Sequence, residues 1–291
     1  MKNAKWYLLT AALLLSFGAV VWLQGAGRSD ASGDLSDPFL DPYAMTLAHR
    51  HAGPSMETAA EKAVDIGVAW PNGAPAAGKQ SLLELTVSGQ DGKLIEQFEI
   101  VNEKLLHLVA VSDDLQHFQH VHPEYKGKGK YELPLQFEYG GNYKLYADFQ
   151  PSGMNELTRY AEAVVEGRQS LREPLTASST LEADYGGAHV ALSFDQTPTA
   201  MQAMTMTYTF TDADSGKPLQ DLELYLGAVG HVVAVDGGMN DYLHIHPLNW
   251  ASSGPQAVFG VSFPRSGLYK LWGQFQRNGE VMIVPFTINV Q

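Results

Sequence analysis

Over residues 205–211 the chain reads TMTYTFT, with Met206, Tyr208 and Phe210 alternating with threonines. A period of two places the three apolar side chains on one face of a strand and the threonines on the other, the pattern of a half-buried strand. Short runs of the same kind recur beyond about residue 62: SLLELTV, KYELPLQFEY, NYKLYADF, AVFGVSF and LYKLWGQF. Turn-forming clusters such as GQDGK, DSGKP and YGGN separate several of them, because Gly, Asn and Asp tolerate the backbone angles that tight turns need. No stretch carries the period of a long amphipathic helix; a turn or two is expected at 56–65. Many short strands with glycine-rich turns predict an all-β fold of sandwiches or barrels.

The strand pattern occurs twice. HLVAVSDDLQHFQHVHP (107–123) matches HVVAVDGGMNDYLHIHP (231–247) without a gap, and after a two-residue shift NYKLYADFQ (142–150) matches LYKLWGQFQ (268–276). Internal duplication of this length predicts two homologous β-domains, placed at 62–167 and 178–291 and joined through EGRQSLREPLTASS (166–179).

The first 61 residues differ. Residues 6–23, WYLLTAALLLSFGAVVWL, carry no charge and follow Lys2 and Lys5. Such a run is just long enough to span a hydrocarbon core, and the lysines predict a cytoplasmic N-terminus. Residues 1–24 are therefore expected to be a single-pass membrane anchor, or a signal segment cleaved near GAG at 25–27,. Either way the rest is extracytoplasmic: held at the cell membrane if the helix is kept, secreted if it is cut. Residues 25–61, rich in Gly, Ser, Asp and Pro, read as a flexible tether,. His49 and His51 within it, flanked by Met45 and Met56, are solvated linker residues or a weak accessory metal site.

The six histidines shared by the two copies are the candidate chemistry. They are His107, His120 and His122, then His231, His244 and His246, each of the second set 124 residues after its counterpart. His120 and His122 sit at i and i+2 and share a strand face, as do His244 and His246. LLHLVAV and HFQHVH predict two strands of an antiparallel hairpin around SDDLQ. With Val111 opposite Phe118, His107 lies opposite His122; with Val111 opposite Gln116, it lies opposite His120. Both registers place all three imidazoles on one face, with opposed Cβ atoms about 4.5–5.5 Å apart. The intermediate register sends His107 to the other face and destroys the cluster.

Three neutral imidazoles suit Cu(II), Zn(II) or Ni(II), with oxygen and nitrogen ligands favouring copper over zinc, and zinc so bound keeps a fourth position open. Asp113, Asp114, His117 and Glu124 are expected as possible fourth ligands in the first copy; Asp241 stands where His117 would recur. The competing reading is structural: His107 shares its face with Val109 and Val111, and a duplicated domain copies packing histidines too. Met204 and Met206 follow the buried alternation of their strand, so core packing outweighs a copper(I) site with Met201. His189 has no counterpart in the first copy and reads as structural. Asp148 and its counterpart Gln274 read as fold rather than chemistry.

Over most of residues 80–290, HLVAVSDDLQHFQHVHPE…GNYKLYADFQPSG and GHVVAVDGGMNDYLHIHP…GLYKLWGQFQRNG resemble exported bacterial sandwich proteins of the YtkA-like type. That resemblance implies tandem immunoglobulin-like β-sandwiches outside the cytoplasm. It supplies no activity. A more distant likeness, to periplasmic copper-carrier sandwiches of the CopC kind, implies His and Met ligands; several of those carriers use a histidine at the mature N-terminus, which a retained anchor would not provide.

Composition narrows the classes. The chain of 291 residues has no cysteine, which excludes disulfides, thiolate ligands and cysteine nucleophiles,. Its net charge of −13 makes it a poor partner for nucleic acid and a mild attractor of cations,. No G-x-S-x-G, P-loop or dinucleotide fingerprint occurs. The expectation is a membrane-anchored metal-binding protein, for copper or zinc, acting as buffer, sensor or delivery module beside another metal-handling protein. A metal-free interaction module and a histidine–metal enzyme are the alternatives.

Overall fold

The computed structural model describes residues 57–291. The expected membrane or signal segment, the tether up to residue 56, and Met45, His49, His51 and Met56 lie outside the described residues. A single helical turn, α1 (Ala59–Lys62), opens the described part, where Thr58 accepts from the Glu61 N–H and Glu61 accepts from the Thr58 N–H. Everything regular beyond it is β-structure.

Four antiparallel sheets build two sandwiches. In the first, β1 (Asp65–Ala69), β2 (Gln80–Ser88), β7 (Lys130–Gln136) and β6 (Glu124–Gly127) lie side by side in that order. They pack on β3 (Phe98–Glu99), β8 (Gly141–Pro151), β4 (Leu106–Ser112) and β5 (Phe118–Val121), with β9 (Leu157–Val165) also on β8. In the second, β10 (Glu182–Tyr185), β11 (Ala188–Phe194), β12 (Met204–Asp212) and β15 (Gln256–Val261) pack on β14 (Tyr242–Ile245), β13 (His231–Asp236), β16 (Gly267–Arg277) and β17 (Glu280–Val290). The all-β expectation holds, and each quoted run contains a strand, though KYELPLQFEY and AVFGVSF run past the ends of β7 and β15.

Each core follows from alternation. Met206, Tyr208 and Phe210 are fully buried between the sheets of the second sandwich with Val232, Leu271 and Phe275. Leu83, Leu85, Leu108, Leu145 and Phe149 do the same in the first. Each such side chain contributes about 1.5–3 kcal/mol by leaving water.

Alternation of burial fails on β4, where all seven residues are buried. Leu106, Leu108 and Ala110 point into their own sandwich, while Val109 and Val111 join Tyr146, Val233, Val235, Met239 and Trp272 in a separate cluster. That cluster is the contact between the two sandwiches. Its residues come in matched pairs: Phe118 stacks on Trp272 at 4.8 Å and Tyr242 stacks on Tyr146 at 4.2 Å. Phe118 and Tyr242 are repeat counterparts, as are Tyr146 and Trp272, so the two copies meet through the same patch, as the halves of a two-fold dimer do.

The second copy has Gly230 where the first has Leu106. A Cβ there would stand 2.4 Å from Phe275 Cδ1 and 2.7 Å from the Gln274 carbonyl oxygen. Both neighbours are buried, so Gly230→Ala is expected to cost about 2–3 kcal/mol as an overpacked site. Urea unfolding measures this; an unchanged midpoint would show that β16 moves aside freely.

Candidate metal centre

Register decides where the imidazoles go. In the first copy Val111 lies opposite Phe118 and Val109 opposite His120, which is the first of the two registers expected. In the second, Val235 lies opposite Tyr242 and Val233 opposite His244. His107 and His231 lie on the face of β4 and β13 turned to the other sandwich, with His120, His122, His244 and His246 beside them. Centroid separations are 5.2, 4.9 and 4.9 Å within the first triad. They are 5.6, 5.5 and 4.9 Å within the second. In each triad one nitrogen per ring lies within 4.8 Å of the other two.

Hydrogen bonds behind the rings select the tautomers. His107 donates through Nε2 to the Val101 carbonyl at 2.9 Å, which leaves a lone pair on Nδ1. His231 donates through Nε2 to the Tyr225 carbonyl at 3.0 Å, and its buried Nδ1 has no hydrogen-bond partner. Val101 and Tyr225 are themselves repeat counterparts, each in a turn closed by a bridge, to Lys104 and to Ala228. In the first triad His107 Nδ1 lies 3.0 Å from His120 Nε2 and 3.2 Å from His122 Nε2. With Zn–N bonds of about 2.0–2.1 Å, such separations subtend roughly 90–105° at a shared ion.

The two triads form one cluster. His120 Nδ1 donates across the interface to Gln274 Oε1 at 3.1 Å, and His244 Nδ1 donates across it to Asp148 Oδ2 at 2.9 Å. Ring centroids of His120 and His244 are 5.2 Å apart, and those of His107 and His244 5.5 Å. Asp148 also accepts from Thr158 Oγ1 at 2.7 Å and Tyr242 OH at 2.6 Å. The Asn102 amide approaches His246 Nε2 to 2.7 Å; the matching turn position in the first copy's partner is Leu226.

Burial favours the neutral form of His107, His120, His122 and His231. It holds His122 down to about 3 and His231 to about 4, each also opposed by neighbouring imidazole charge. His107 is lowered by burial, and His120 is lowered well below the ordinary range by burial and then by His244, His107 and His122. Neutral rings whose outer N–H groups are engaged by carbonyl, amide or carboxylate present inner lone pairs, the arrangement of metal-ligating histidines.

The expected fourth ligands do not join them. His117 lies at the turn end of the hairpin, stacked on Tyr139 at 4.6 Å. Asp114 accepts from Ser112 and Ser170, and Asp113 pairs with Arg172. Glu124 is exposed and pairs with Lys126. The turn fixes Asp113, Asp114 and His117: five residues of extended chain, about 17 Å, separate His107 from Ser112, against which His117 closes the hairpin. His189 bonds Asp184 instead. Met204 and Met206 are core, and Met201 is exposed.

Asp148 and Gln274 need correction. They occupy strands, as read, but are buried in the site itself, each against the other copy's histidine. A signal was available in the sequence: alternation places both on the same face as Tyr146 and Trp272, and both recur at matched positions. Asn102, Val101 and Tyr225 carry no such signal, since two of them act through backbone carbonyls.

A family model described as a domain of unknown function (DUF8832) matches residues 61–166 and again 182–291. Its description names neither the YtkA-like nor the CopC-like group. No curated protein matches the chain. Among solved structures, FdeC, an Escherichia coli adhesin, is similar at 18% identity over 78% of this chain and 64% of its own, with a TM-score of 0.25. A Salmonella alpha-2-macroglobulin is similar at 14% over 80% and 15%, with a TM-score of 0.27. Invasin, a bacterial integrin-binding protein, is similar at 14% over 77% and 39%, with a TM-score of 0.21. The chain spans less than two thirds of each of these proteins.

Proposed function

The chain belongs to the DUF8832 family through both of its sandwiches, and from the cluster these build we propose that it is a metal-binding module for a divalent first-row ion. The observation that carries this is the second triad. Tyr225 offers a carbonyl and Asp148 a carboxylate, neither of which can donate a proton, so each holds a ring N–H and turns the other ring nitrogen of His231 and of His244 inward. The buried Nδ1 of neutral His231 is a lone pair without a hydrogen bond, and one nitrogen of each of the three rings lies within 4.8 Å of the others, the ligand set a cation would take,.

Copper or zinc is the expected ion, since nitrogen ligands without thiolate suit both and the affinity order favours copper. The finer reading is an extracytoplasmic, membrane-anchored protein of tandem immunoglobulin-like sandwiches that buffers, senses or delivers the ion rather than turning over a substrate. The apolar run at 6–23 and the net charge of −13 support it.

A second reading has its own observation. The histidines bond across the interface to Gln274 and Asp148, which would cement two sandwiches without any metal. In the first triad, reversing the Gln274 amide would give His120 Nε2 a proton to donate to His107. Equilibrium dialysis of the chelator-stripped chain against Zn(II) and Cu(II) separates the two. Up to two ions per chain are expected, with one lost in His120→Gln/His122→Gln and the other in His244→Gln/His246→Gln. No bound ion in the wild type would leave the cementing reading.

A further inference from the structure

The proposal here rests on the metal reading above and concerns how its two sites differ. The strands, registers and backing carbonyls of the triads are duplicated, but the group behind the central ring is not. His120 is backed by the neutral amide of Gln274, and His244 by the carboxylate of Asp148. The surroundings of that carboxylate differ from those of the amide as well. Tyr242 donates a hydroxyl to Asp148, whereas its counterpart, Phe118, has none to offer Gln274, whose Nε2 is buried without a partner.

We propose that the triads are an unequal pair: His231, His244 and His246 take the first divalent ion, and His107, His120 and His122 take a second at lower affinity. A carboxylate hydrogen-bonded to a ligating histidine makes that ligand more basic and adds opposite charge near the ion, and removing such a partner costs about 10–100-fold in affinity. An amide supplies orientation without the charge. Asp148 also sits across from His107 in the β4–β8 register, so its charge reaches the first triad, but its hydrogen bond goes to His244. Once the second triad is filled, the short spacing of His244 from His120 and His107 sets two dications in one buried cluster, where they repel. The Asn102 amide at His246 Nε2 opposes this order. It is a neutral group on a half-buried turn and can exchange its contact for water at little net cost, whereas the carboxylate stays.

The full chain, stripped with a chelator, is titrated with Zn(II) by calorimetry at neutral pH, and each variant's fold is checked by circular dichroism. Two steps are expected, the first at least tenfold tighter. His246→Gln should remove the tight step and His122→Gln the weak one. Asp148→Asn, isosteric, should weaken the tight step about 10–100-fold and bring the two together. Gln274→Glu, also isosteric, should strengthen the weak step by a similar factor, and it tests the order even if Asp148→Asn fails to fold. Two equal steps, a single step, or a tight step that disappears with His122 overturn the proposal while leaving metal binding intact. Absence of any zinc binding overturns it together with the metal reading.

Discussion

Lowering the pH from 7.5 to 5.5 is expected to remove about 3 kcal/mol or more of stability from the metal-free chain. The cause is the burial of imidazoles in neutral form. His107, His120, His122 and His231 are all lowered from the ordinary value of 6.5, His122 to about 3 and His231 to about 4. The unfolded chain therefore takes up protons below pH 6.5 that the folded chain refuses. The unfolded state binds more protons in this window, so stability rises with pH. It is fully present above about 6.5 and is lost as pH falls toward the depressed values. At one unit below 6.5 His122 and His231 each withdraw about 1.4 kcal/mol, and His107 and His120 act in the same direction. Urea unfolding at half-unit steps measures it. A flat profile from 7.5 to 5.5 would mean that the rings gain protons as readily folded as unfolded, and the dry, neutral cluster would have to be abandoned.

Zinc should act in the opposite sense. At a hundred times its dissociation constant, an ion bound only by the folded state adds about 2.7 kcal/mol per site. For a two-sandwich chain of this size a rise of about 5–10 °C in apparent melting temperature follows for one filled site. A chelator should reverse it, and acid should weaken it, since protons compete for the same lone pairs. Because each central histidine is held by the opposite sandwich, the ion fastens the interface as well as its own hairpin. His244→Gln should remove most of the rise and His120→Gln a smaller part. Identical melting curves with and without zinc, in a chain shown to be folded, would remove the metal proposal and leave the histidines as interface packing.

Much of the site was legible before any coordinates. The His-x-His pairs share a face because strand side chains repeat every two residues, and of the three registers weighed for the hairpin around SDDLQ two gather His107 with them while the intermediate one does not. The structure takes one of the two. The expected fourth ligands failed for a related reason. His117 follows the same alternation but stands at the turn, where the strand's length carries it away from the cluster. β9 and β17 were not among the runs read as strands; Arg159 and Glu162 in one and Pro285 in the other interrupt patterns that pairing with β8 and β16 nevertheless completes.

By itself the sequence determined the strand faces, the duplication and the pairing of each His-x-His, because these depend on chain period, which is local; the register that adds His107 and His231 came from the structure. Only the tertiary structure decided what covers the histidine face. Period says which side chains stand together; it does not say that the opposing surface is the other copy, nor that Asp148 reaches His244 across 96 residues and Gln274 reaches His120 across 154. Those contacts exist because Val109, Val111, Val233, Val235, Tyr146 and Trp272 leave water against one another. That packing carries a carboxylate and an amide into the only places where they can orient buried imidazoles.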